Sequence, residues 1–119
     1  MDKDVLADES DETVDEILGG RLRIIQKRRG YRFSLDALLL AHFAGLREGD
    51  DLIDLGTGSG VVALILTNRY RCGKVLGIEI QEELAGMARR SAAMNGLAGR
   101  VEIRPGDVRR PETICAPLS

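Results

Sequence analysis

One acid and three glycines form the stretch of this sequence with the clearest chemical potential. In residues 51–60 a short apolar run contains Asp54 and is followed by the alternating glycines Gly56, Gly58 and Gly60. Glycine permits the positive φ of a tight turn and lets a ligand approach the bare backbone. A helix that begins after such a turn offers unpaired N–H groups at its N-terminus. The pattern therefore predicts a buried strand, a tight turn and a helix start that together bind a nucleotide-type ligand.

The spacing of the glycines narrows the choice of ligand. A dinucleotide fingerprint, G-x-G-x-x-G, would place its third glycine at Val61, whereas this chain has G-x-G-x-G. S-adenosylmethionine, an adenosine cofactor without a pyrophosphate, fits this pattern better than NAD does. Asp54 can help to hold its positively charged amino-acid end, directly or through water. A glycine turn with a purely steric role is the alternative.

Two further acids follow predicted strands. Glu79 lies in the apolar segment Lys74–Ile80, 23 residues after Gly56. An acid about 20 residues on, at the end of the second strand, can accept hydrogen bonds from both ribose hydroxyls. Spacing and apolar flanks favour this role over a helix cap or surface acid. Asp107 follows a third predicted strand, Arg100–Arg104, where it can accept a hydrogen bond from the adenine amine or serve as an ordinary turn residue.

Composition excludes several classes of site. The chain has 119 residues, enough for one small domain, and its net charge of −2 gives no global case for nucleic acid. With one His and only Cys72 and Cys115, no zinc or iron–sulfur site is expected. The widely spaced thiols and the absence of a membrane-length apolar run predict a cytoplasmic protein without a membrane partner.

The sequence divides into three predicted parts. Residues 1–16 carry eight acids against the single Lys3, which predicts a mobile acidic tail. Residues 17–48 predict a hairpin and a helix. Residues 49–119 predict an incomplete cofactor-binding domain with alternating strands and helices. The expected fold class is α/β, a partial Rossmann-like doubly wound parallel sheet with strand order 3-2-1.

The hairpin region is strongly basic. Alternation in Arg21–Gln26 predicts a half-buried strand, and Tyr31–Phe33 is expected to return as a second one. A helix is predicted to follow Ser34, with His42 as a core histidine. The cations of this region can contact RNA or simply face solvent, and both interpretations stay open. They are Arg21, Arg23, Lys27, Arg28, Arg29 and Arg32.

Together these motifs resemble class I S-adenosylmethionine-dependent methyltransferases from about Gly20 to Asp107. By this resemblance the glycine loop contacts the cofactor, Glu79 holds the ribose and Asp107 lies by the adenine. The cofactor-binding residues that the resemblance implies here are Asp54, Gly56, Thr57, Gly58, Gly60, Glu79, Ile80, Asp107 and Val108.

The N-terminal segment is similar to a narrower group. Gln26 and the run GYRFSLDALLLA at residues 30–41 resemble the bacterial branch that methylates an adenine amine in a valine transfer RNA. In that branch the segment packs over the cofactor. The resemblance therefore implies Phe33, Ser34 and Asp36 as further cofactor neighbours and RNA as the partner.

One departure from the family pattern is an absent motif. Amine methyltransferases of this kind carry Asn-Pro-Pro-Tyr or a similar motif after a fourth strand, and no such motif occurs up to Ser119. The expectation is the cofactor-binding part of a longer enzyme, inactive alone, with no catalytic residue assignable. A non-catalytic cofactor-binding fragment and, less favoured, an NAD-dependent oxidoreductase are the alternatives. Without a fourth strand, Leu52–Leu55 would be an apolar sheet edge, which predicts a homo-oligomer.

Overall fold

The computed structural model describes residues 11–29, 47–69, 73–110 and 112. Its strands are β1 (Glu12–Ile17), β2 (Leu22–Lys27), β3 (Leu52–Leu55), β4 (Val75–Glu79) and β5 (Val101–Pro105). Its helices are α1 (Val61–Arg69) and α2 (Glu82–Met94). The alternation of strand and helix from β3 onward is the pattern that builds parallel sheets.

Strands β3, β4 and β5 form a parallel sheet in the order β3-β4-β5. All five residues of β4 are buried, as expected for a middle strand without a solvent-facing side. The predicted α/β class with a parallel sheet is confirmed. The carboxyl ends of β3, β4 and β5 lie along one edge, which therefore collects the residues that follow each strand.

Both helices share an aliphatic core with the sheet. Val75, Val101 and Ile103 belong to the same buried cluster as Leu64 of α1 and Ala88 of α2. Helix α1 is buried over most of its surface, whereas α2 is amphipathic and buries one face. The core contains no Trp because the chain has none, so aliphatic packing must supply its stability.

Strands β1 and β2 form a separate antiparallel hairpin, with Glu12 opposite Lys27 and Ile17 opposite Leu22. The connection needs positive φ at Gly19 (66°) and Gly20 (85°), which glycine adopts without steric cost. The predicted mobile tail over residues 1–16 is therefore wrong from Glu12 onward. Its composition is acidic, but pairing with β2 and packing against α2 order this part of it.

Strand β2 pairs with the upstream β1, a partner that the sequence did not predict. The segment 31–33 lies outside the described residues, as do the predicted helix after Ser34 and His42.

Side chains of α2 and of its C-terminal cap form hydrogen bonds with the edge of strand β2 that faces away from β1. The backbone N–H of Ile25 donates to Ser91 Oγ at 2.9 Å. The N–H of Arg23 donates to Asn95 Oδ1 at 2.8 Å, and Asn95 Nδ2 donates back to the Arg23 carbonyl at 2.6 Å. Ser91 and Asn95 lie one helical turn apart, so together they take the place of a neighbouring strand.

An ion pair adds to this docking. The Arg90 guanidinium donates to both carboxylate oxygens of Glu12, each at 2.6 Å, and Glu12 is only 6% exposed. A bidentate pair of this kind fixes orientation as well as distance. Among the described helices, none has the length and apolar character needed to cross a membrane.

Candidate functional site

The glycine loop turns sharply between β3 and α1. Gly56, Gly58 and Gly60 all have positive φ, at 70°, 59° and 86°. The N–H of Thr57 donates to the Ile78 carbonyl at 2.9 Å, which ties the loop to the end of β4. At Gly60 a Cβ atom would lie 2.9 Å from the Ala88 Cβ, so only glycine allows α1 and α2 to approach so closely.

Glu79 holds the glycine loop and α2 together. It is 6% exposed. Its Oε1 accepts the Gly58 N–H at 2.8 Å, and its Oε2 accepts the Gln81 N–H, just before α2, at 2.9 Å. A carboxylate has about four acceptor positions, so Glu79 can accept ligand hydroxyls in addition to these two donors. The sequence does not reveal this second, structural role.

Asp54 lies at the start of the loop in a partly buried position. Burial raises the pKa of its carboxyl group, the hydrogen bond from Thr57 Oγ1 at 2.8 Å opposes that rise, and the negative charge of Glu79 adds to it. Ligand cations are stabilised where two carboxylates approach each other in this way. The pair can therefore attract a positively charged ligand group.

Asp107 follows β5 on the same sheet edge. Its Oδ1 accepts the N–H of Arg109 at 2.9 Å and Arg109 Nε at 3.0 Å, and its Oδ2 accepts Arg109 Nη2 at 2.9 Å. These hydrogen bonds from Arg109 lower the pKa of the Asp107 carboxyl group. Two exposed apolar side chains lie nearby, Ile80 (55% exposed) and Val108 (48%).

Two cavities open at this edge and share Gly56 and Glu79. The smaller one, about 200 Å³, is also lined by Ile80, Asp107 and Val108. We call it the apolar cavity. The larger one, about 510 Å³, is called the charged cavity. It is lined by Lys27, Arg29, Gly56, Gly58, Glu79, Gln81, Glu83 and Leu84. The structure thus brings the glycine loop, Glu79 and Asp107 to one edge, as the sequence predicted.

The basic residues of the hairpin do not form one uniform surface. Lys27 pairs with Glu83 and, at 3.6 Å, with Asp11, and the Glu83 hydrogen bond raises its pKa. Arg23 lies 3.8 Å from Glu16. Arg21, Arg28 and Arg29 are exposed. Arg32, Phe33, Ser34 and Asp36 lie outside the described residues.

Sequence reasoning missed that Lys27 and Arg29 line a cavity with Glu79. The sequence gives no local signal for this, because the position of both residues depends on contacts between β2 and α2, such as that between Ile25 and Ser91, which lie 66 positions apart. In the part of the chain that the structure describes, no group of three His, Cys, Asp or Glu residues could hold a metal ion.

Comparison with known families gives one match that covers more than half of the chain. A family model described as a methyltransferase domain matches residues 52–115. This range begins at β3 and includes the glycine loop, Glu79 and Asp107.

Individual relatives agree on the broad class and differ in their acceptors. The chain is 36% identical over 72 residues to a tRNA1(Val) (adenine(37)-N6)-methyltransferase of Pedobacter heparinus, covering 60% of this chain and 31% of that protein. It is 33% identical over 104 residues to a ribosomal protein L11 methyltransferase of Sorangium cellulosum, covering 82% of this chain and 32% of that protein. The chain therefore spans about a third of the length of these relatives.

A solved methyltransferase structure is also similar to this chain. The chain resembles an RNA methyltransferase of Salinibacter ruber, in complex with S-adenosylhomocysteine, with a TM-score of 0.59 and 30% identity. The similarity covers 68% of this chain and 52% of that one.

Proposed function

The chain belongs to the methyltransferase domain family, and from this premise we propose that it forms the S-adenosylmethionine-binding part of an enzyme that methylates an adenine amine in transfer RNA. The observation that carries the cofactor assignment is the position of Glu79. This buried carboxylate lies between two cavities and beside a glycine loop with positive φ at each of its three glycines. An adenosine ligand needs a hydroxyl acceptor at that junction.

The cofactor would lie across the sheet edge in three parts. Its adenine would occupy the apolar cavity between Ile80 and Val108, with the amine near Asp107. Its ribose hydroxyls would donate to Glu79. Its amino-acid end would then lie over the glycine loop, where the two neighbouring carboxylates, Asp54 and Glu79, favour its positive charges.

When bound, S-adenosylmethionine supplies a methyl group that its sulfonium activates for in-line displacement by the acceptor nitrogen. The residues of this chain would contribute by orientation, which brings the methyl carbon and the nitrogen into line and accounts for much of the rate. Glu79 and Asp107 would hold the two ends of the adenosine. No residue of the chain is assigned as a general base.

Transfer RNA is favoured as the acceptor by the first relative and by the Salinibacter structure, whose names specify tRNA and RNA. The exposed hairpin cations Arg21 and Arg28 are suited to phosphate contacts, which are electrostatic and independent of sequence. The Sorangium relative names a ribosomal protein, so a protein acceptor is the competing class.

We further propose that the chain self-associates through β3. Among the described strands β3 pairs only with β4. Its other edge is a template for pairing with a second chain, and Ile53 (62% exposed) and Leu55 (57%) present apolar side chains there.

Calorimetry tests the cofactor assignment. The chain is expected to bind S-adenosylhomocysteine and not NAD. Glu79→Ala should weaken binding by about 1–3 kcal/mol, because the ribose hydroxyls lose their acceptor. Glu48→Ala, which removes an exposed acid before β3, serves as the matched control.

Binding of NAD in place of S-adenosylhomocysteine would overturn the proposal. Equal affinity of the wild type and Glu79→Ala for S-adenosylhomocysteine would also overturn it. The acceptor is tested separately by fluorescence anisotropy. A tRNA transcript should bind with an affinity that falls as salt rises. Binding of ribosomal protein L11 without binding of tRNA would reassign the acceptor to the protein class.

A further inference from the structure

The arrangement of the two cavities sets the direction of the bound cofactor. Both cavities include Glu79 and Gly56, so a ribose at Glu79 has one cavity on each side. The apolar cavity offers Asp107 to an amine and two aliphatic side chains to a flat ring. If adenine lies there, as the proposed function requires, the amino-acid end is directed toward the charged cavity.

The two cationic side chains that line the charged cavity, Lys27 and Arg29, differ in their ion pairs. Lys27 Nζ pairs with Glu83 and Asp11. Glu79 accepts the backbone N–H groups of Gly58 and Gln81. Arg29 lines the same cavity, and no described residue forms an ion pair with it. It is therefore the cation of this cavity whose charge the described part of the chain leaves unneutralised.

S-adenosylmethionine carries one anionic group, the carboxylate of its amino-acid end. We propose that Arg29 binds this carboxylate. A guanidinium presents two parallel N–H donors that match the two oxygens of a carboxylate. Such a contact would complement Asp54 and Glu79, which favour the positive groups at the same end. The inference rests on the proposed function, since it takes the ligand from there.

The fold holds Arg29 at this position through the residues just before it. The Ile25 N–H is bound by Ser91, and Lys27 is paired with Glu83 in the first turn of α2. The Arg28 side chain is directed toward β1, where its Nη2 donates a hydrogen bond to the Glu12 carbonyl at 3.1 Å. Because Arg28 is directed toward the hairpin, Arg29 is the arginine that lines the charged cavity.

Two ligands separate this contact from the rest of the site. S-adenosylhomocysteine contains the carboxylate, and 5′-methylthioadenosine has the same adenosine and thioether without the amino-acid end. Calorimetry should show that Arg29→Ala weakens S-adenosylhomocysteine binding by about 10-fold or more, the usual effect of losing a hydrogen bond between charged groups. Binding of 5′-methylthioadenosine should stay unchanged, which also shows that the variant is folded.

Two further variants control for charge. Arg29→Lys keeps the positive charge but cannot form the bidentate contact with a carboxylate. It should therefore retain only part of the affinity for S-adenosylhomocysteine. Arg47→Ala removes the same charge from an exposed position before β3 and should leave the binding of both ligands unchanged.

The outcomes are distinct. An equal loss for both ligands in Arg29→Ala, or no loss for S-adenosylhomocysteine, would overturn the role of Arg29 and leave the proposed function intact. If the wild type binds neither ligand, the proposed function fails, and this inference fails with it.

Discussion

At the scale of single residues, the three acids of the site differ in electrostatics because their neighbours differ. Glu79 accepts hydrogen bonds from two backbone N–H groups, Asp54 accepts one from the Thr57 hydroxyl, and Asp107 accepts hydrogen bonds from Arg109. Burial raises the pKa of Asp54, whereas Arg109 lowers that of Asp107. Their linkage to stability therefore has opposite signs. Protonation of Asp54 on acidification removes the free-energy cost of burying its negative charge. Protonation of Asp107 weakens its stabilising hydrogen bonds with Arg109.

A titration of Asp107 tests this assignment. Its stabilising contribution should be fully present above its ordinary pKa and be lost as the pH falls through the lowered value in the folded protein. Arg109→Ala should move the carboxyl titration to higher pH, because the hydrogen bonds to the charged form are gone. Side-chain ¹³C NMR of Asp107 measures the midpoint directly.

Arg110→Ala is the control for that titration, since it removes the next positive charge along the chain. It should leave the Asp107 midpoint close to that of the wild type. A midpoint that does not move in Arg109→Ala would show that the arginine does not set the ionisation of Asp107.

At the scale of elements, the docking of the hairpin on α2 decides which residues reach the charged cavity. Two polar side chains, Ser91 of α2 and Asn95 at its C-terminal cap, form hydrogen bonds with backbone groups of β2. Ile25 packs with Leu84 and Met87 of α2 in a small buried cluster. The hairpin is therefore fixed by hydrogen bonds and apolar burial acting on the same two elements.

Ser91→Ala should destabilise the protein by about 1–3 kcal/mol, because the buried Ile25 N–H loses its acceptor. Urea unfolding measures the loss, and hydrogen exchange should show faster exchange at the Ile25 amide. Asn68→Ala, at an exposed position of α1, should change stability by no more than about 0.5 kcal/mol. Unchanged protection of the Ile25 amide would contradict the docking role of Ser91.

Local patterns explain which elements were predictable. Strands β2 to β5 follow from short apolar or alternating runs, and the glycine loop follows from spacing, because these signals lie within a few residues. The sequence does not predict that residues 12–16 form a strand, because their acidic composition gives no indication of the ion pair between Glu12 and Arg90, 78 positions away. The place of Arg29 in the charged cavity depends on the same long-range docking.

At the scale of the whole molecule, one face of the sheet is unevenly covered. The face toward α1 and α2 contains the aliphatic core. On the other face Ile53 and Leu55 are more than half exposed, while Leu76 and Ile78 of β4 are buried. Apolar side chains at a strand edge favour association, since burying them removes that area from water.

Sedimentation velocity at micromolar concentration tests self-association. The wild type should form concentration-dependent dimers or larger species. The double variant Ile53→Glu and Leu55→Glu should be monomeric, because like charges would face each other across the joined edges. Asn68→Glu with Ala93→Glu adds the same charge at exposed helix positions and should still associate. A wild type that stays monomeric would refute an interface at β3.

The polar contacts between α2 and β2 also constrain the order in which the chain assembles. Ser91 and Asn95 present their oxygens side by side only after the helical turn between them has formed. Strand β2 cannot use them as partners before that moment, although β1 can pair with β2 independently. Helix formation is faster than hairpin formation in isolated segments. We therefore expect α2 to form first and to act as the template on which the hairpin, and with it Arg29, acquires its final position.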